Sequence, residues 1–246
     1  MAKIAIIGGT GLTKLHNLSI VSREVHVSNY GEPSAPLTRG TLAGKDVLFL
    51  PRHGAGHTIP PHKVNYRANI SVLKNAGVDK VIAVNAVGGI TENMKVCQLA
   101  VPDQIIDYTW SRDHTFFEEG LKEVVHVDFT NPYCEELRTE IIKAADRVNI
   151  PIEKRATYAA VQGPRLETAA EINRLEKDGC DIVGMTGMPE AVLARELDLC
   201  YASIAVIANK AAGRGEGEIT LDEISANLVV SHENVRKILE VLITEI

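Results

Sequence analysis

An α/β fold, with helices on both faces of a central sheet, is the class this sequence predicts. Three observations carry it. Short β-branched apolar runs alternate with helical patterns along the chain. Those runs are unbroken rather than alternating, which suits strands buried on both faces. Several helical stretches also open on a recognisable cap, and two close at a glycine.

In chain order, strands are expected at 3–7, 47–50, 81–84, 105–106 with its flanks, 181–184 and 202–208. The turn-rich stretch 28–44 reads as a hairpin region. A helix over about 63–75 is closed by Gly77. Asn131-Pro132 reads as an N-cap with proline at the first helical position, leading a helix to about Val148. Thr168 and Glu171 form a capping box whose helix stops at Gly179, and Pro189 can start a helix running through Leu197. Thr220 and Glu223 make a second capping box. No linker, repeat or abrupt charge change interrupts the 246 residues, so a single domain over 1–246 is expected.

The formal net charge is −6, which argues against a nucleic-acid partner or an anionic membrane, since both need a broad basic surface. Any phosphate must then be held by a local cluster of donors. No signal-like segment and no apolar stretch of the roughly 20 residues needed to span a bilayer is present, so a cytoplasmic location is expected. Cys97, Cys134, Cys180 and Cys200 lack zinc-ligand spacing and read as four reduced, mostly buried thiols.

Six segments carry chemistry, most of them at predicted strand ends, where open α/β sheets bind ligands. Gly8-Gly9-Thr10-Gly11 can form an anion-binding nest or a bare tight turn. It can also be a dinucleotide turn, although Lys14 stands where a third glycine belongs. Arg52-His53-Gly54 offers a planar guanidinium fork and a further imidazole donor for an anion. Asn85-Ala86-Val87-Gly88-Gly89 is a third glycine-bearing strand end. Gly163-Pro164-Arg165-Leu166-Glu167-Thr168 precedes a capped helix. Gly184-Met185-Thr186-Gly187-Met188-Pro189-Glu190 and Asn209-Lys210-Ala211 follow strands. Singly, Glu167 reads as a solvated first-turn charge, Met185 as core filler, and Asn85 and Asn209 as turn formers.

Together, GGTG at 8–11, RHG at 52–54, HKVNYRANI at 62–70, NAVGG at 85–89, GPRLET at 163–168 and GMTGMPEA at 184–191 resemble the trimeric nucleoside phosphorylases. That family comprises the purine nucleoside and S-methyl-5′-thioadenosine phosphorylases, and the likeness is strongest to its bacterial branch acting on S-methyl-5′-thioinosine. The resemblance covers nearly the whole chain. It implies a mixed central sheet, a homotrimer, and phosphorolysis of a purine nucleoside to purine and a pentose 1-phosphate. Inorganic phosphate is then a co-substrate, with no metal or organic cofactor. Position by position it implies phosphate binding by Thr10, Arg52, His53, Ala86 and Thr186, and a ribose floor at Met185. It also implies that His126 reaches the 5′ end of a neighbour's substrate.

The same resemblance addresses base choice. Relatives specific for adenine carry an Asp-x-Asp pair where this chain reads Asn209-Lys210-Ala211, and an amide can donate to N7 and a 6-oxo oxygen. Glu167 matches the glutamate that accepts from N1–H of 6-oxopurines. The familiar enzymes place Phe before it, and this chain has Leu166. Segment 212–224 holds no His for a 5′-hydroxyl, and Leu221 stands near that place, which suits a methylthio group. Methylthioinosine is the expected substrate. The alternatives are a general inosine/guanosine phosphorylase, a non-catalytic nucleoside binder, and an NAD-dependent oxidoreductase, the last leaving three of the motifs unexplained.

Overall fold

The computed structural model describes residues 4–10, 12 and 17–246. Lys3, Gly11 and Lys14, which figure in the reading of the first strand and turn, lie outside these. The described residues form, in order, β1 (Ile4–Gly8), β2 (Ser19–Glu24), β3 (Leu37–Leu42), β4 (Lys45–Pro51), α1 (Tyr66–Asn75), β5 (Lys80–Gly89), β6 (Leu99–Ala100), β7 (Gln104–Asp107), α2 (Glu135–Arg147), β8 (Ile152–Glu153), β9 (Thr157–Ala160), α3 (Ala169–Lys177), β10 (Ile182–Gly184), α4 (Gly187–Glu196), β11 (Cys200–Lys210) and α5 (Leu221–Glu245).

All these strands join one mixed sheet in the order β2-β3-β4-β1-β5-β10-β9-β7, with β11 pairing β5 and β6, and β6 pairing β8. β5 is the organising strand: it runs parallel to β1 and β11 and antiparallel to β10. Its side chains explain the unbroken apolar run. Val81 and Ala83 enter one core with Ala5, Ile7, Leu48 and Leu50, while Ile82 and Val84 enter another with Ile4, Ile6, Val47 and Phe49. Both faces are covered, α1 and α4 contributing to the first core and α2 and α5 to the second.

The six expected strands are all present. Three helix starts follow their caps: Thr168 closes a full capping box on α3, Thr220 Oγ1 accepts from Glu223 N, and regular α4 geometry begins at Pro189 after an extended Met188 (φ −118°, ψ 141°). Two starts are corrected. α1 begins at Tyr66 under an Asn65 cap, after a short 3-10 turn at Pro61–Lys63. α2 begins at Glu135, not after Asn131-Pro132, because Pro132 and Tyr133 are buried and Cys134 N donates to Tyr201 O.

That backbone contact underlies a further correction. Cys134 and Cys200 are not free thiols but form a disulfide across 66 residues, leaving Cys97 and Cys180 free. Residues so far apart give no spacing signal, since the neighbourhood is made by β11 meeting the start of α2.

Candidate functional site

The expected strand ends converge on one cavity of about 500 Å³, within the ordinary range for small-molecule sites. Thr10, Arg52, His53, Ala86, Thr186, Met185, Leu166, Glu167, Asn209 and Leu221 all line it. β1, β4 and β11 deliver their residues from carboxyl ends. β10 arrives antiparallel to β5, so its end at Gly184 brings Met185 and Thr186 back beside the middle of that strand.

Close backbone approach builds the floor. A Cβ on Gly9 would lie 2.5 Å from the Val84 carbonyl oxygen and 3.0 Å from Arg52 Nη1, so any larger residue would push this turn off the sheet. Gly163, at φ +61°, would drive a Cβ into the Met185 sulfur.

Arg52 is fully buried, and its fork does not stand open as the sequence reading expects. Nε and Nη2 donate to the two Glu190 oxygens at 2.6 and 2.7 Å, and Nη1 donates to the Val84 carbonyl at 2.9 Å. Glu190 is equally buried and also accepts from the Tyr201 hydroxyl at 2.9 Å. A guanidinium has five N–H donors, so two remain for a ligand, one on each terminal nitrogen. Sequence reasoning missed Glu190: a glutamate in the first turn of a helix reads as a charge facing the dipole.

His53 differs from expectation in the same way. Its Nδ1 lies 2.8 Å from the Ile59 carbonyl oxygen, so that N–H is taken. Burial, and then the adjacent Arg52 charge, hold its pKa down to about 4. The ring is therefore neutral at physiological pH and offers a bare Nε2. Thr186 supplies what His53 does not. Its hydroxyl oxygen accepts from Asn85 Nδ2 at 2.8 Å, so its hydrogen can turn toward a ligand as a donor. Asn85 is itself fixed by Ser203 Oγ, which donates to its Oδ1 at 2.6 Å, so Asn85 is a buried positioning residue rather than a turn former.

A register shift between Ile207 and Asn209 marks a bulge in β11 opposite β5. A bulge re-aims the side chains that follow it, and Asn209 lies against the cavity while its Nδ2 donates to Lys210 O at 2.7 Å. One amide hydrogen and the Oδ1 lone pairs stay available. Lys210 and Ala211 are not lining residues. Lys210 Nζ donates to the carbonyls of Thr91 and Met94, and Ala211 is packed among Ile90, Ile172 and Val183. His126 is exposed and lines no part of this cavity.

Glu167 is half-buried with no cation on its carboxylate among the described residues, because neighbouring Arg165 is engaged by Glu171 at 2.7 and 2.8 Å. Burial, reinforced by Glu171, raises the Glu167 pKa. It is an acceptor awaiting a donor. At the other end of the cavity Leu221, 79% exposed, is joined by Ile224 one helical turn on. That i, i+3 pair was legible behind the Thr220 cap. His57 and Thr58 complete the rim.

A sequence model of the phosphorylase superfamily matches residues 3–244. A Pseudomonas syringae protein named probable S-methyl-5′-thioinosine phosphorylase is 53% identical over 228 residues, covering 93% of each chain. The Pyrococcus furiosus 6-oxopurine nucleoside phosphorylase is 45% identical over 245 residues, 97% of this chain and 91% of that one. Among solved structures, methylthioadenosine phosphorylase from Schistosoma mansoni in complex with adenine superimposes with a TM-score of 0.95 at 32% identity, over 99% of this chain and 91% of that one.

Proposed function

From the membership of this chain in the phosphorylase superfamily, we propose that it catalyses phosphorolysis of a 6-oxopurine nucleoside, S-methyl-5′-thioinosine foremost. The products are hypoxanthine and 5-methylthioribose 1-phosphate. The observation that carries this reading is one cavity holding an uncompensated Glu167, the Asn209 amide and the Leu221–Ile224 wall around a cluster of anion donors.

Glu167 accepts from N1–H, which hypoxanthine has and adenine lacks. Asn209 donates toward N7 and the 6-oxo oxygen. Arg52, Thr10, Thr186 and the Ala86 backbone hold phosphate in line with the anomeric carbon, over Met185. Rate then comes from positioning and from preorganised dipoles facing an oxocarbenium-like transition state. Phosphate is the nucleophile, so no side chain need be. Leu221 and Ile224 receive the methylthio group, where a 5′-hydroxyl would be left unpaired. With Leu166 in place of an aromatic, the base is gripped by its polar edge, and Leu166→Phe is expected to lower KM for the nucleoside by adding ring contact.

The decisive experiment compares kcat/KM for methylthioinosine, inosine, guanosine and methylthioadenosine in phosphate buffer. Methylthioinosine should lead. Preference for methylthioadenosine would overturn the roles of Glu167 and Asn209; preference for inosine would overturn only that of Leu221.

A pH prediction follows from Glu167. Its carboxylate must be ionised to accept N1–H, and its raised pKa moves the loss of that acceptor upward. The acid limb of kcat/KM is therefore expected above the ordinary carboxylate range, because kcat/KM reports free-enzyme groups. Glu167→Gln should remove that limb; a limb unchanged by the substitution would reassign it.

We further infer a homotrimer in which His126 reaches a neighbour's 5′ pocket. Exposed Leu121, Val124 and Val125 beside it support this, as an apolar strip that a second copy would cover. Sedimentation velocity should give three chains; a monomer with full activity would exclude it. For location, no helix among the described residues is long and apolar enough to cross a membrane. Cytoplasm is our proposal, although reducing conditions there would work against the Cys134–Cys200 disulfide.

A further inference from the structure

We propose that His53 selects the anion by its protonation. Its Nε2 accepts a hydrogen bond from an O–H of inorganic phosphate, so the site takes phosphate and rejects sulfate. This deepens the reading of the cavity as a phosphorolysis site and rests on it.

The tautomer follows from geometry. A carbonyl oxygen can only accept, so the 2.8 Å contact to Ile59 O puts the proton on Nδ1. Nε2 has no hydrogen-bond partner among the described residues, and it is the one polar atom the ring can present to a ligand. Burial, the Arg52 charge and the His57 ring oppose a second proton, outweighing the Ile59 carbonyl that favours it. The side chain is 7% exposed, Arg52 adjoins it in the chain, and the His57 ring lies 4.8 Å away centroid to centroid. Glu190, the carboxylate that pairs with Arg52, is engaged by two nitrogens of that guanidinium and by Tyr201. The depressed pKa of His53 agrees with this.

The charge balance makes the lone pair decisive. Arg52 and Glu190 form a buried pair with no net charge, so no excess positive potential draws in any tetrahedral dianion. Recognition falls to the polarity of individual hydrogen bonds. Thr186 and the two free Arg52 N–H groups are donors, whereas His53 Nε2 is an acceptor. Phosphate keeps at least one O–H at neutral pH and can satisfy both kinds. Sulfate has the same shape but no proton, and would set an oxygen lone pair against that of Nε2. Held by its protonated oxygen, phosphate keeps its anionic oxygens for the donors and for the anomeric carbon.

The test titrates the free protein with phosphate, arsenate or sulfate at neutral pH and fixed ionic strength, by calorimetry. Phosphate and arsenate, both protonated, should bind alike, and sulfate roughly ten- to hundredfold more weakly, the cost of one mispaired buried polar group. His53→Gln, whose amide can turn a donor toward either anion, should bring sulfate to within about threefold of phosphate. Equal wild-type affinities, arsenate behaving like sulfate, or an unchanged ratio in the variant would each overturn the proposal. If the variant does not fold, the wild-type ratio and the arsenate comparison still decide it. Phosphate-dependent nucleoside cleavage, assayed on the same preparations, separates the two readings. Turnover without anion discrimination overturns only the role of His53. Discrimination without turnover of any purine nucleoside overturns phosphorolysis.

Discussion

Glu190→Ala is expected to cost about 3–5 kcal/mol of folding stability, the typical penalty for stranding one member of a buried ion pair. The guanidinium left behind is fully buried and would lose two charge-assisted hydrogen bonds, while Tyr201 would lose its acceptor. For a chain of this length the melting temperature should fall by roughly 10 °C. Phosphate should restore more of that loss in the variant than it adds to the wild type, because the anion would supply the missing countercharge. A melting point within about 2 °C of wild type, measured without phosphate, would show the pair to be dispensable. Replacing both partners with apolar residues, Arg52→Met with Glu190→Leu, should recover much of the stability yet leave no phosphate-dependent turnover. The fold needs the pair to be neutral; the proposed chemistry needs it to be Arg and Glu.

Asn209→Asp is expected to lower kcat/KM for methylthioinosine by roughly ten- to hundredfold, the cost of one unmatched buried polar contact, with the KM for phosphate little changed. A carboxylate there would face the 6-oxo oxygen, lone pair against lone pair, but can accept from a 6-amino group. Combining it with Glu167→Ser, which removes the N1–H acceptor, should turn the preference toward methylthioadenosine. On the proposed roles the two residues read one base, so their effects need not add. A fall in phosphate affinity equal to the loss in turnover would mean that Asn209 acts on the sheet rather than on the base.

Legibility in the sequence followed burial and locality. β1, β4, β5, β10 and β11 were readable because each is flanked by core on both faces and carries an unbroken apolar run. β2 was not: most of its side chains are exposed, and its Arg23-Glu24 end reads as a polar loop. β6 and β8 are two residues each, below any periodicity. Local chemistry placed the Thr168, Pro189 and Thr220 helix starts correctly. In the site, the identity of the lining was legible from its motifs, but the direction of each hydrogen bond was not. Nothing in Arg52-His53 says that Glu190, 138 residues on, occupies the fork, or that Ile59 takes the imidazole hydrogen. Nor does Lys210 announce that it ties down the Thr91 and Met94 carbonyls behind the site. These are facts of tertiary juxtaposition, available only once the sheet is closed.

The cavity wall runs from Gly9, just after the first strand, to Ile224 in the last helix. No contiguous fragment of the chain therefore owns a binding site, and a growing polypeptide has none until its C-terminal helix has docked. Occupancy should consequently act as a clasp on the whole molecule rather than on one region. Phosphate and nucleoside at a hundred times their dissociation constants would each stabilise the folded state by about 2.7 kcal/mol. Hydrogen exchange should slow together in β1 and the first turn of α5, two segments more than 200 residues apart in sequence.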